Sequence, residues 1–122
     1  MANGALDIIQ PDLMSSGGFT ECKKISNLAH SWNTPLIPHV WGSGIGLAAS
    51  LQFIANLPFT PQSMNPMEIM LEYDQSDHPF REDLIYNQIK MVDGKIPIPN
   101  RPGIGVEVNE EIIRKYSKEI FI

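Results

Sequence analysis

The chain has 122 residues, a net charge of -5 and a pI of about 5.0, the length of one ordinary domain with too few cations for a phosphate-neutralising surface. Nucleic acid is therefore excluded as an expected partner. A hydrophobic share of 43% suits a packed core rather than a disordered segment, and no apolar run approaches the roughly 18 residues of a membrane span.

The single cysteine, Cys22, cannot close an internal disulfide, which fits a reducing, cytoplasmic compartment. The stretch Met1 to Asp7 has no basic run followed by an apolar one, so it does not read as a secretory signal.

Leu6 to Asp12 reads as a short, mostly buried strand, with β-branched Ile8 and Ile9 and an abrupt Pro11-Asp12 end. Ser15-Ser16-Gly17-Gly18 marks a turn. Thr20 is the expected N-cap of a helix whose buried stripe is Cys22, Ile25, Leu28, Ala29 and Trp32.

The pattern then repeats. Pro35 to His39 is a second short strand, Gly42-Ser43-Gly44 a turn, and Ile45 to Leu57 an Ala-rich apolar helix ended by Pro58. After a loop rich in Pro and Met comes a third strand, Ile69 to Asp74. The strands start about 30 residues apart, the length of a β/α unit, so the fold class is α/β with a parallel sheet.

Past residue 90 the character changes. Met91 to Ile98 reads as a hairpin with Asp93-Gly94 at its tip. Pro102 to Val106 is extended, and Asn109 caps a short helix from Glu110 to Lys118.

In parallel β/α proteins ligands bind outside the carboxyl ends of the strands. Asp12, His39 and Glu72 each stand at such an end. A carboxylate beside an imidazole fixes its tautomer and raises its basicity, so that it serves as a general base near neutral pH. A further carboxyl group on the next strand could bond a substrate oxygen.

Each residue also has a plain structural reading. Asp12 could cap a turn, His39 could be a satisfied core histidine, and Glu68 and Asp74 compete with Glu72 on spacing alone. The coincidence at three strand ends is what singles them out.

Other features are weaker. Gly42 to Gly46 lacks the spacing of a phosphate loop. His30 and His78 read as surface residues, Cys22 as core, and methionines such as Met64, Met67 and Met70 as gap fillers.

Read together and in order, Asp7 to Asp12, Gly17 to Glu21, Pro38-His39, Leu71 to Asp74, Val92 to Pro99 and Arg101 to Val106 resemble the mandelate racemase group of the enolase superfamily. The likeness runs along nearly the whole chain. It implies a partial TIM-like (β/α) barrel: the last three β/α units, strands six to eight, over residues 1–90, then a C-terminal tail over 91–122 that packs toward a capping domain.

By position in that family His39 resembles the seventh-strand general base and Asp12 its sixth-strand partner. Glu72 resembles the eighth-strand acid that contacts the substrate carboxylate or enediolate oxygen. Gln10-Pro11-Asp12 carries no sixth-strand lysine, which sets the chain apart from muconate-lactonising relatives.

The resemblance implies proton abstraction α to a carboxylate and an enediolate stabilised on Mg²⁺. The family's Mg²⁺ ligands and second base lie upstream of every residue here. The expected function is thus that of a C-terminal fragment of a Mg²⁺-dependent sugar-acid dehydratase, inactive alone, whose whole form takes an acid-sugar carboxylate, is a homo-oligomer and meets neither nucleic acid nor membrane. A racemase or epimerase of 2-hydroxy acids is the alternative. A non-catalytic product that self-associates or pairs with a complementary fragment is another.

Overall fold

The computed structural model describes residues 1–58 and 68–117. The Pro- and Met-rich loop with Met64 and Met67, and Lys118 at the expected end of the last helix, lie outside the described residues. The elements in order are α1 (Gly18–Ser31), α2 (Gly44–Ile54), α3 (Pro79–Glu82) and α4 (Glu110–Tyr116).

A short parallel ladder joins residues 9–11 to 35–39. Ile9 N–H donates to Pro35 O (2.9 Å), Ile37 N–H to Ile9 O (3.0 Å) and His39 N–H to Pro11 O (3.2 Å). Pro11, Pro35 and Pro38 have no N–H to give, which keeps the pairing this brief.

Burial alternates along both segments. Ile9, Pro11 and Leu13 turn inward, while Ile8, Gln10 and Asp12 are more exposed; Leu36, Pro38 and Val40 are buried, while Ile37, His39 and Trp41 are not. A strand's side chains alternate between faces, so the helices cover one face and the polar strand ends stand on the other. Leu6 (55% exposed) and Ile8 (45%) share the uncovered side, so the first strand is less buried than its composition predicts.

α1 begins two residues before the expected Thr20 cap. Its N-cap is Gly17 (φ 88°), and no side chain caps it. Left-handed backbone at Gly17 and Gly18 starts the helix early, and a Cβ on Gly17 would come within 2.7 Å of Glu21 Cγ. The buried stripe is Cys22, Ser26 and Ala29, with Ile25 partly buried; Leu28 and Trp32 are each 52% exposed, contrary to the sequence expectation. Ser26 fits there because it is small and donates to Lys23 O (3.0 Å).

α2 is capped by Ser43, whose Oγ accepts from Gly46 N–H (3.1 Å). It ends at Ile54, earlier than the expected Leu57. Single turns follow (Asn56 N–H to Phe53 O, Leu57 N–H to Ile54 O), consistent with the bias against helix before Pro58.

Two apolar clusters result. Leu13, Cys22, Ala29, Leu36 and Phe53 join α1 to α2 and the ladder; Val40, Leu47 and Leu51 gather Leu71, Tyr73, Ile89 and Ile96. Burying each such leucine contributes about 1.5–3 kcal/mol.

Among the described residues, no backbone hydrogen bond pairs 69–74 with a neighbour, so the expected third strand has no ladder here. Side chains hold it instead: Leu71 and Tyr73 in the second cluster, and Tyr73 Oη donating to Ile89 O (3.2 Å).

The tail folds back on the body. Ile85 pairs antiparallel with Val108, and Gln52 Nε2 donates to Pro99 O (2.6 Å) and Ile104 O (3.3 Å). The hairpin forms as expected, Val92 pairing with Lys95 across Asp93 (φ 50°) and Gly94 (φ 75°). Asn109 caps α4 by accepting from Glu111 N–H (3.2 Å).

Cys22 is fully buried between α1 and the ladder. Burial pushes its thiol up, and the Asp12 and Glu21 carboxylates push it further. Alkylation of Cys22 in the folded chain at neutral pH should be at least about tenfold slower than in the urea-unfolded chain, checked by timed thiol labelling and intact mass.

Candidate functional site

Asp12, His39 and Glu72 come from three separate segments and stand on the face away from the helices. The helices bury Pro11 and Leu13, Pro38 and Val40, and partly bury Leu71 and Tyr73, which leaves the residue between each pair turned outward. His39 N–H bonded to Pro11 O sets residue 39 beside residue 12 across the ladder.

The structure brings two of the three side chains into contact. His39 Nδ1 is hydrogen-bonded to Glu72 Oε2. Both side chains are nearly half exposed (46% and 45%). A contact this exposed contributes only about 0–1 kcal/mol to stability, so its consequence is orientation. With Nδ1 committed, Nε2 is the ring nitrogen left to exchange a proton.

Asp12 makes a different contact from the one expected. Its Oδ1 accepts from Met14 N–H (2.7 Å) and its Oδ2 from Ser15 Oγ (3.1 Å). The carboxylate closes its own turn, while Glu72 takes the place beside the imidazole.

Trp41 continues the same face two residues beyond His39; it is 62% exposed and meets His78 edge-on at 5.3 Å. His78, expected on the surface, is only partly exposed, and its Nδ1 is buried. The partner was not legible in the sequence, because it lies 37 positions beyond Trp41 and only the fold brings them together.

Asp74, a rival of Glu72 on spacing, has a different task. It accepts from Ser76 N–H (2.9 Å), Ser76 Oγ (2.7 Å) and Arg81 Nη1 (2.7 Å). Glu68 is exposed and pairs loosely with Lys95 (3.7 Å).

Among the described residues no three His, Cys, Asp or Glu side chains converge to hold a metal ion. On this face His39 Nδ1 is taken by Glu72 Oε2, and both Asp12 oxygens are taken by its own turn. No helix among the described residues is long and apolar enough to cross a membrane.

The two hydrogen bonds from Ser76, then the Arg81 and His78 charges, hold the Asp74 carboxyl below the ordinary aspartate value against some opposing desolvation. A lowered native value means stability present above the ordinary aspartate pKa and lost as pH falls through the lowered one. Urea unfolding as a function of pH should show this acid loss in the wild-type chain, and Asp74→Asn should flatten it.

Comparison with known proteins follows the same geometry. A sequence profile of the family described as enolase C-terminal domain-like matches residues 1–112. The D-galactarolactone cycloisomerase of Agrobacterium fabrum is 40% identical over 116 residues, covering 95% of this chain and 31% of that protein. A D-galactonate dehydratase of Pectobacterium atrosepticum is 37% identical over 121 residues, covering 97% of this chain and 30% of that protein.

Among solved structures, a mandelate racemase/muconate lactonizing enzyme from Sulfitobacter sp. superposes with a TM-score of 0.77 at 34% identity, covering 94% of this chain and 26% of that one. The chain thus spans less than a third of the length of these curated relatives.

Proposed function

Because the chain belongs to the enolase C-terminal domain-like family, we propose that it is the closing part of a barrel enzyme that eliminates water from sugar acids. The observation that carries the reading is the His39–Glu72 pair on the uncovered face, at the carboxyl end of a parallel ladder. Dehydratases and a cycloisomerase of sugar acids among the relatives support the substrate class.

Elimination removes a proton from the carbon α to a carboxylate and expels the oxygen on the neighbouring carbon. In this proposal His39 Nε2 exchanges that proton or protonates the leaving hydroxyl, which departs as water. Glu72 holds Nδ1, sets the tautomer and offsets the charge when the ring is protonated. Glu72's remaining reach is toward a substrate oxygen. Asp12 adds negative charge on the same rim while shaping the turn into α1.

Among the described residues no three His, Cys, Asp or Glu side chains converge as a Mg²⁺ site would need. The proposal assigns the Mg²⁺ of the resemblance to other parts of the whole protein, and no step here runs through it. The 122 residues alone are accordingly proposed to be inactive, and the whole enzyme to be cytoplasmic and homo-oligomeric.

A second reading has one observation in its favour: 40% identity with a cycloisomerase. There the expelled oxygen would belong to a ring and stay attached. Product mass separates the two, since dehydration loses one water and cycloisomerisation loses nothing.

The test is a panel of aldonic and aldaric acids and their lactones with the whole protein and Mg²⁺. His39→Asn should lower turnover about 10²- to 10⁴-fold, the range of a general acid–base group. Turnover within twofold of wild type would sink the assignment.

A further inference from the structure

Glu72 lies on a segment with no backbone ladder among the described residues. Something else must set its height and direction. Apolar packing of Leu71 and Tyr73 fixes which way the segment faces, and Tyr73 Oη ties it to Ile89 O. Just beyond, one side chain gathers the chain end: Arg81, whose side chain is only 10% exposed.

Nη1 of Arg81 donates to Asp74 O (2.8 Å) and Asp74 Oδ2 (2.7 Å); Nη2 donates to Ser76 O and to Glu82 Oε1 (3.1 Å). The guanidinium thus closes the loop from residue 74 to 81 through two backbone carbonyls and a carboxylate.

Arg81 is itself seated firmly. It lies in α3, whose first turn is Pro79, and α3 packs against α2. A Cβ on Gly44, the first residue of α2, would stand 2.6 Å from Arg81 O and 2.9 Å from Ile85 Cδ1, so only glycine allows this approach. α2 also follows directly on the turn after His39. The two partners of the site pair are therefore linked twice: directly through the hydrogen bond, and behind it through α2, α3 and Arg81.

We propose that Arg81 is the positioning residue of the site. By fixing Asp74 two residues beyond Glu72, it holds the Glu72 carboxylate where it accepts a hydrogen bond from His39 Nδ1–H, and so selects the tautomer that leaves Nε2 as the base. The proposal deepens the acid–base reading of His39 and rests on it for its catalytic meaning, but the tautomer is observable without any turnover. Lysine cannot replace arginine here, because an ammonium group is a point donor and cannot span Asp74 O, Asp74 Oδ2 and Ser76 O at once.

The experiment is ring-nitrogen NMR of the 122-residue chain labelled at histidine, at a pH where His39 is neutral. The long-range correlations from the ring carbons' protons report the ratio of Nδ1–H to Nε2–H tautomer. The wild-type chain should favour Nδ1–H at His39.

Arg81→Met and Arg81→Lys should both lower that ratio about tenfold, the effect of losing one charge-assisted hydrogen bond. Gln52→Met removes two tertiary hydrogen bonds, to Pro99 O and Ile104 O, that involve neither the 69–74 segment nor Arg81, and serves as control; it should leave the ratio unchanged. If Arg81→Met leaves no folded chain by circular dichroism, Arg81→Lys decides. An unchanged ratio in a folded Arg81 variant, or an equal fall in Gln52→Met, overturns the proposal. A fall in the ratio with no sugar-acid turnover in the whole protein would leave Arg81 as the positioner of the pair and sink the functional reading alone.

Discussion

Burial of one face of two short extended segments by α1 and α2 is the constraint on which the other features depend. Once Pro11, Leu13, Leu36, Pro38 and Val40 are committed to the helices, the pleat turns Asp12 and His39 the other way. A slip of one residue would send both into the apolar clusters, where an unpaired charge costs far more than any surface pair returns. The leucines and Phe53 of the clusters are thus what orient the polar rim, and the rim adds little stability of its own.

The uncovered face is notable for what it mixes. Beside the titratable residues stand Leu6, Ile8, Trp41 and Met70, all large, apolar and at least 45% exposed. Barrel interiors are filled with layers of such side chains below the active rim. The mixture agrees with a chain that aligns with less than a third of its curated relatives. It also explains why site and foundation differ in character: the helical face is packed within these residues, and the site face is not.

Much of this was legible in the sequence, for particular reasons. The two parallel-paired segments each followed by a helix, the Asp93-Gly94 hairpin and the Asn109 cap rest on local rules that tertiary structure did not override, whereas the third expected strand, 69–74, has no ladder among the described residues. The family was legible because several short motifs recur in order, and a family match over residues 1–112 agrees with it. Local rules failed where a competitor was stronger. Thr20 is a good cap, but two glycines in left-handed backbone start the helix before it. Ser26 is not in the expected stripe, yet its small hydroxyl satisfies itself on the helix and lets the buried face run through it.

The sequence singled out Asp12, His39 and Glu72, which share the uncovered face, but it did not show which of them pair. Sequence spacing cannot say whether a carboxylate prefers the imidazole or its own backbone, and Asp12 prefers the backbone. Nor did any pattern mark Arg81, whose importance comes from three acceptors brought together by a loop. In the proposed reaction His39 and Glu72 act as one unit. A double-mutant cycle of His39→Asn and Glu72→Gln on sugar-acid turnover by the whole protein tests it most directly. The double variant should be about as impaired as the His39 variant alone; fully multiplicative losses would show that the two act independently.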